Sequence, residues 1–429
     1  MLDKEKIRDI MEKKGIKTQV ELSEKMGITK NQLSVILSEK FDPIKSNVRT
    51  LCEVLEVNIQ EILSNENQAI QNKNQVKQLT MDINDIQFID TSTIKPTRNF
   101  TGIELFAGAG GLALGLEKAG FRTLGLVEID RFASETLRKN RPHWNVIEKD
   151  IVKVSEDGIR KYIDNDIEID LLSGGYPCQT FSYAGNKKGL EDTRGTMFYY
   201  YAQILDQLKP KVFLAENVKG LVSHDNGRTL QTMIDVFSEL GYKIQWKVLK
   251  ALDYGVAQKR ERIVIVGIRK DIDIEYKFPK PYEYKPVLKD ALKDVPISDG
   301  AKYPSKKKAV LDLVPPGGYW RDLPEEIAKE YMGKSYYSGG GRTGMARRIS
   351  WDEPCLTLTC SPAQKQTERC HPDETRPFRV REYARIQSFP DEWEFHGSTN
   401  QQYKQIGNAV PVELAKAVGL SIIDFLNKI

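Results

Sequence analysis

Up to about residue 64, apolar positions recur at helical spacing. Lys4–Lys14 puts Ile7, Ile10 and Met11 on one face of a helix. Thr18–Met26 and Thr29–Leu37 follow with the same period, with Gly27 between them. Thr18 and Thr29 suit N-caps, and Gly27 suits the tight turn. Shorter helical runs come at Val48–Leu55 and Ile59–Leu63. From about Asn65 to Asn99 the pattern dissolves into polar residues, with Asn and Gln crowded into Asn65–Gln78, as in a linker. From residue 100 to about 270, short apolar runs alternate with amphipathic stretches. Strands are predicted at Gly102–Phe106, Thr123–Glu128, Ile169–Ser173, Val212–Glu216, Ile244–Leu249 and Ile263–Ile268, and helices at Leu112–Ala119 and Phe132–Asn140. That alternation predicts an α/β fold with a doubly wound, Rossmann-like sheet. Between about 275 and 375, clusters of Pro, Gly, Tyr and Lys interrupt the pattern, and Glu413–Leu426 restores a strong helix. The predicted organisation is a small all-α unit at 1–66, a linker at 67–98, a main α/β domain from 99–273 and 400–429, and a smaller domain at 274–399.

Composition changes this picture little. With 40% hydrophobic and 29% charged residues over 429 positions, the chain reads as an ordinary globular protein of more than one domain. No apolar stretch has the length of a bilayer span and Met1–Lys6 is no signal peptide, which predicts a cytoplasmic protein with no membrane partner. The 64 basic and 60 acidic residues leave a net charge of +4, so charge alone does not announce a nucleic-acid binder. The cysteines, Cys52, Cys178, Cys355, Cys360 and Cys370, are odd in number and scattered, which favours reduced thiols over a disulfide framework. Cys355, Cys360, Cys370 and His371 lack the paired C-x-x-C spacing of structural zinc sites, so no metal is expected.

The front unit resembles the helix-turn-helix domains of the small phage-repressor class. Its second helix opens with Thr29, Lys30, Asn31, Gln32 and Ser34, side chains suited to phosphates and base edges. Any small helical bundle shares the apolar period; the polar opening tilts the reading to DNA.

Four segments of the α/β region carry candidate chemistry. Phe106-Ala-Gly-Ala-Gly-Gly111 lies between a strand and a helix, where glycines admit a ligand to the backbone and a helix N-terminus offers free N–H groups. Dinucleotide enzymes share such a turn. The next strand ends at Val127-Glu-Ile-Asp130, and an acid there suits the ribose hydroxyls of a nucleoside cofactor. Gly174-Gly-Tyr-Pro-Cys-Gln-Thr-Phe-Ser182 follows a third apolar strand. A cysteine taken singly is more often an inert thiol, but this loop position beside Gly, Pro and Gln favours a nucleophile. Ala215-Glu-Asn-Val218 closes another strand and offers a carboxyl group as an acid, although a strand-end Glu is ordinarily solvated. In Gln258-Lys-Arg-Glu-Arg262, alternate Arg260 and Arg262 project to one side of an extended segment and suit an anion; a solvated basic run reads the same way.

In this order, and with Glu191–Phe198, Asn217–Gly220, His224–Gly227, Ala251–Gly255, Arg381–Pro390 and Gln405–Pro411, these motifs resemble the DNA cytosine-5 methyltransferase family over about residues 100–429. The resemblance implies methyl transfer from S-adenosylmethionine to carbon 5 of a flipped cytosine in double-stranded DNA. It implies Cys178 as nucleophile, Glu216 as acid at the base, Arg262 on the cytosine carbonyl and Arg260 near the cysteine loop. For the cofactor it implies Phe106, Ala107, Gly108, Gly110 and Gly111 in the loop, Glu128 on the ribose, and Ile129 where an aromatic is usual. It further implies Asp150 and Ile151 near adenine, with Pro177, Asn408 and Val410 toward the methionine end. Lys149-Asp-Ile stands where the family has Gly-Asp-Ile. Residues 274–399 occupy the place of the target-recognition domain, and Gln179, Ser182 and Arg342 would meet DNA. Arg347, Arg348 and Lys365 are further candidates for that contact, and a solvated loop reads the same way for all four basic residues. The family implies a bacterial, nucleoid-associated restriction-modification enzyme with a cognate endonuclease, and the front unit implies regulation of its own promoter through residues 1–66. A transcriptional regulator and an RNA cytosine methyltransferase are the alternatives.

Overall fold

The structure, a computed structural model, describes residues 4–16, 18–26, 33, 55, 86–164, 166–177, 193, 195–337 and 343–429. It divides into two compact units, Met1–Ile86 and Gln87–Ile429. In the first, α1 (Lys4–Lys13) buries Ile7 and Met11, as the periodicity predicts. Helix α2 (Gln19–Lys25) is N-capped by Thr18, whose hydroxyl accepts from the Glu21 N–H at 3.2 Å. Thr29, Lys30, Asn31, Gln32 and Ser34 lie outside the described residues.

The second unit is built on one sheet. Its strands are β2 (Phe100–Leu105), β3 (Phe121–Glu128), β4 (Val146–Glu148), β5 (Leu171–Gly174), β6 (Val212–Val218), β7 (Tyr242–Lys250) and β9 (Glu261–Arg269). The order is β4-β3-β2-β5-β6-β9-β7, with β9 antiparallel to both its neighbours and the remaining pairs parallel. The predicted strands are all present, with ends shifted by no more than two residues. Helices α3 (Gly111–Ala119), α4 (Arg131–Asn140), α5 (Ile151–Asp157), α6 (Met197–Leu208) and α7 (Arg228–Glu239) accompany them. After β2 the chain builds β3 and β4 on one side, then returns to lay β5 on the other. The gap between the carboxyl ends of β2 and β5 is therefore the switch point at which α/β sheets hold ligands.

Packing moves both predicted boundaries of the α/β unit. Residues 87–98, placed in the linker by their polarity, are docked. Here β1 (Phe88–Ile89) pairs in parallel with β10 (Phe278–Pro279), Thr97 N–H donates to Asn427 at 2.9 Å, and Arg98 pairs with buried Asp170 at 2.6 Å. At the other boundary, Phe378, Tyr383, Phe389, Trp393 and Phe395 share one core with Ala109, Leu114, Leu137 and Trp144 of the main domain. Trp393 is fully buried, its ring 6.0 Å from that of Trp144 and its indole N–H on the Ala109 carbonyl at 3.2 Å. This stretch, which includes α11 (Val380–Ile386), belongs with α12 (Thr399–Asn408) and α13 (Val412–Leu426). That core also takes in α8 (Leu288–Leu292) and β11 (Cys355–Leu356), whereas α9 (Ser305–Leu311) and α10 (Glu325–Met332) carry a separate small core around Tyr303, Leu311, Trp320, Met332 and Met345. Among the described residues, no helix is long and apolar enough to cross a membrane.

Candidate active site

The predicted residues fall in a row along adjacent strand ends. Asp150 follows β4, Glu128 ends β3, Phe106 follows β2, Pro177 follows β5, Glu216 lies near the end of β6, and Arg262 opens the antiparallel β9 opposite Val218. Strands stand about 4.8 Å apart, so the row runs along one edge of the sheet across the switch point.

The half of the row from β4 to β2 is closed by backbone contacts. Phe106 adopts φ +58, turning the chain sharply out of β2. The Glu128 carboxylate then accepts the Gly108 N–H at 2.7 Å with one oxygen and the Asp130 N–H at 2.7 Å with the other. Burial raises the Glu128 pKa against those two N–H groups. Glycine is required at 111, where a Cβ would stand 2.2 Å from the Val410 carbonyl oxygen; the helix start thus abuts the Ala409–Val410 segment. Asp150 caps α5 by accepting the Val152 N–H at 2.9 Å, and Ile151 packs inward beside it. Asn408 is exposed, and its side-chain oxygen accepts from the Cys360 thiol at 2.9 Å.

These residues suit a nucleoside cofactor. Ile129 leaves an apolar side chain 65% exposed immediately after Glu128, a surface on which a flat base would lie. Open space faces the Gly108 Cα, where an added Cβ would meet nothing within 4 Å. Beneath the loop, Glu104 is buried with Oε2 unpartnered, and burial together with the Glu128 charge pushes its pKa well up. A charged residue inside the apolar run Phe100–Phe106 was its only sequence signal.

In the other half, Glu216 and Arg262 form an ion pair of 2.6 Å, both side chains nearly buried. Burial raises the Glu216 pKa, opposed by the charges of Arg262 and Arg260. The cysteine loop passes directly over this carboxylate: a Cβ on Gly175 would lie 2.8 Å from Glu216 Oε2. Asn217 fixes the loop by donating to the Tyr176 carbonyl at 2.9 Å. The described chain reaches Pro177; Cys178, Gln179 and Ser182 lie outside it, as does Arg342.

The two arginines of the basic motif take different hydrogen-bond and ion-pair partners. The extended segment is broken at Arg260, between β8 (Gln258–Lys259) and β9, and its side chain is 1% exposed. It donates to the Leu358 and Gly407 carbonyls at 3.2 and 3.0 Å, holding α12 to the β11 region while its charge still reaches Arg262 and Glu216. Gln258 and Gln387, to which the sequence gave no role, form a buried amide pair at 2.9 Å. Arg347 and Arg348, expected as DNA contacts, are turned inward. Arg347 pairs with Glu353 at 2.6 Å, and Arg348 donates to the Leu311, Val314 and His371 carbonyls. Cys355 and Cys370 are buried and Cys360 is exposed. Among the described residues, no three His, Cys, Asp or Glu side chains are grouped to hold a metal ion.

Residues 100–424 match the family described as C-5 cytosine-specific DNA methylase, and residues 6–68 match the Cro/C1-type HTH DNA-binding domain. The chain is 57% identical over 431 residues to the type II methyltransferase M.Sau96I of Staphylococcus aureus, covering 100% of this chain and 99% of that one. It is 59% identical over 340 residues to M.Eco47II of Escherichia coli, covering 77% and 80%. Among solved structures, a putative DNA modification methyltransferase encoded within an E. coli prophage is similar at a TM-score of 0.57 and 26% identity, over 77% of this chain and 100% of that one. The DNMT2 of Spodoptera frugiperda shares the fold at a TM-score of 0.56 and 18% identity, covering 76% of this chain and 100% of that one.

Proposed function

The protein belongs to the C-5 cytosine-specific DNA methylase family and is a DNA cytosine-5 methyltransferase, and on that premise we propose the following use of these residues. Phe106, Ala107, Gly108, Gly110 and Gly111, with Glu128, Ile129, Asp150, Ile151, Pro177, Asn408 and Val410, hold S-adenosylmethionine. That cofactor supplies an electrophilic methyl group. Aromatic cytosine is too weak a nucleophile at carbon 5 to take it unaided. The Cys178 thiolate forms a bond to C6 of the base, and the displaced electron pair makes C5 enamine-like. Glu216 hydrogen-bonds or protonates N3 as charge develops there, and Arg262 steadies the ring carbonyl oxygen. Once C5 carries the methyl group, loss of its proton and cleavage of the S–C6 bond restore the ring and free the thiolate. These groups surround the base only when it leaves the helix stack, so the target is flipped.

The observation that carries this reading is the contact between the cysteine loop and the Glu216–Arg262 pair at Gly175. It brings the chain that bears the thiol onto the carboxyl that would serve the base. Incubation with methyl-labelled S-adenosylmethionine and DNA, followed by nucleoside analysis, is expected to place the label in 5-methylcytosine. Label in N4-methylcytosine or methyladenine would refute the chemistry.

We place the protein in the bacterial cytoplasm as the modification half of a restriction-modification system, with a cognate endonuclease as partner. Residues 1–66 are the domain through which it would bind its own promoter. Since the compact catalytic unit begins at Gln87, removing residues 1–86 is expected to leave methylation near wild type and to abolish promoter retention in a gel-shift assay. Unchanged promoter binding would sink the division of labour.

A further inference from the structure

The small domain contains a fully buried carboxylate, Glu368, which catalysis does not use. One of its oxygens takes the Lys307 ammonium and the Tyr331 hydroxyl, each at 2.5 Å, and the other takes the Ala346 N–H. Its own N–H donates to the Gly344 carbonyl at 2.9 Å. Two separate stretches are thereby joined. Thr343–Ala346 follows the glycine-rich Ser338–Arg342 in sequence, and Ser361–Thr367 is a turn that exposes Gln364, Lys365 and Gln366.

The join is tight on every side. A Cβ on Gly344 would stand 2.8 Å from the Gln366 carbonyl oxygen. Lys307, reaching from α9, also donates to the Ala363 carbonyl at 2.6 Å, so one ammonium ties both ends of the turn. Lys365 donates to the Tyr331 carbonyl and lies 4.6 Å from the Tyr331 ring centroid. The turn also leaves the protein beside the active site: Leu358 and Cys360, just before it, contact Arg260 and Asn408. A buried carboxylate with this many donors fixes one geometry, because losing any partner leaves a desolvated polar group.

We propose that Glu368 is a positioning residue for sequence discrimination. It locks Thr343–Ala346 to the Gln364–Gln366 turn, so that the exposed glutamines meet base edges from one rigid platform. The proposal rests on the small domain, between about residues 274 and 377, being the DNA-reading region. Glutamine amides pair with base edges only when donor and acceptor are both held in register. A platform free to shift would still dock on phosphates but would discriminate less.

The test uses the full chain and Glu368→Gln, which keeps the shape but sets an NH2 group against either the Ala346 N–H or the Lys307–Tyr331 pair. Sites are mapped by bisulfite sequencing of an expression host that lacks cytosine methylation. KM and kcat are then measured on an oligonucleotide carrying the mapped site. The lock predicts a KM for DNA raised about tenfold or more and methylation of sites that differ by one base pair. It predicts kcat within about twofold of wild type and unchanged binding of S-adenosylhomocysteine by calorimetry. Tyr331→Phe, which removes a single donor, should move both DNA readouts the same way by less, and it decides the matter if Glu368→Gln fails to fold. Wild-type site choice and KM in these variants would overturn the lock. If Gln366→Ala still raises the DNA KM in that case, the region reads DNA without it. If Gln366→Ala is silent too, the reading of the region falls as well.

Discussion

Replacing Glu216 by glutamine is expected to lower kcat by roughly 10²- to 10⁴-fold, the range for loss of a positioned acid, with little change in cofactor binding. Glu216 sits across the switch point from the Phe106–Gly111 loop, and its contacts are Arg262 and the backbone at Gly175. The amide keeps the volume that Gly175 packs against but cannot pass a proton to the base. The pH profile supplies a second readout. Burial raises the Glu216 pKa, so the protonated acid persists to higher pH than in a free carboxyl. Wild-type kcat should then fall as pH rises through that elevated value, and the glutamine variant should lose that limb. Stability carries the same sign: a carboxyl whose folded pKa is raised stabilises the fold at low pH and loses that contribution as pH rises through it. Glu216→Gln should therefore gain melting temperature relative to wild type on the alkaline side. A variant with wild-type kcat and an unaltered profile would remove Glu216 from the chemistry.

Gly111→Ala is the second large effect. Its Cβ would lie 2.2 Å from the Val410 carbonyl oxygen and 3.1 Å from the Ala409 Cβ, and neither group can swing aside as the end of a flexible side chain would. Either α3 shifts off the sheet or the Ala409–Val410 segment retreats. Overpacking of this kind costs about 1–3 kcal/mol, and here the strain falls on the two segments proposed to hold the cofactor. The melting temperature should drop, and the dissociation constant for S-adenosylmethionine, measured by calorimetry, should rise at least about tenfold, the equivalent of 1.4 kcal/mol. Wild-type values of both would show that the loop and the 408–410 segment do not close on one ligand.

The sheet and the order of its site residues were legible because strands buried on both faces read as unbroken apolar runs, and the loops after them carry glycines and charges. The three-residue β4 was too short to leave such a pattern. Non-local packing was illegible for a different reason. Nothing local in Glu392-Trp-Glu394 announces that Trp393 lies against Trp144 and Ala109, and so the catalytic core extends back to Phe378. Basic residues misled most. Arg347 and Arg348 follow a glycine-rich stretch and read as solvated, yet carbonyls from Leu311, Val314, Gly317 and His371 capture them. Alternation placed Arg260 and Arg262 on one side of an extended segment, but could not show that the chain breaks between β8 and β9 and buries Arg260 on the Leu358 and Gly407 carbonyls. Sequence period reports which way a side chain points along a regular element, not which distant carbonyl awaits it.

Whether Cys178 attacks the base is decided by covalent trapping. Fluorine at C5 cannot leave as a proton does, so on DNA carrying 5-fluorocytosine at the target the S–C6 bond persists after methyl transfer. Wild-type protein with S-adenosylmethionine should give a protein–DNA complex that survives denaturing electrophoresis, and Cys178→Ala should give none and form no 5-methylcytosine on ordinary DNA. Methylation that persists in Cys178→Ala would contradict the account.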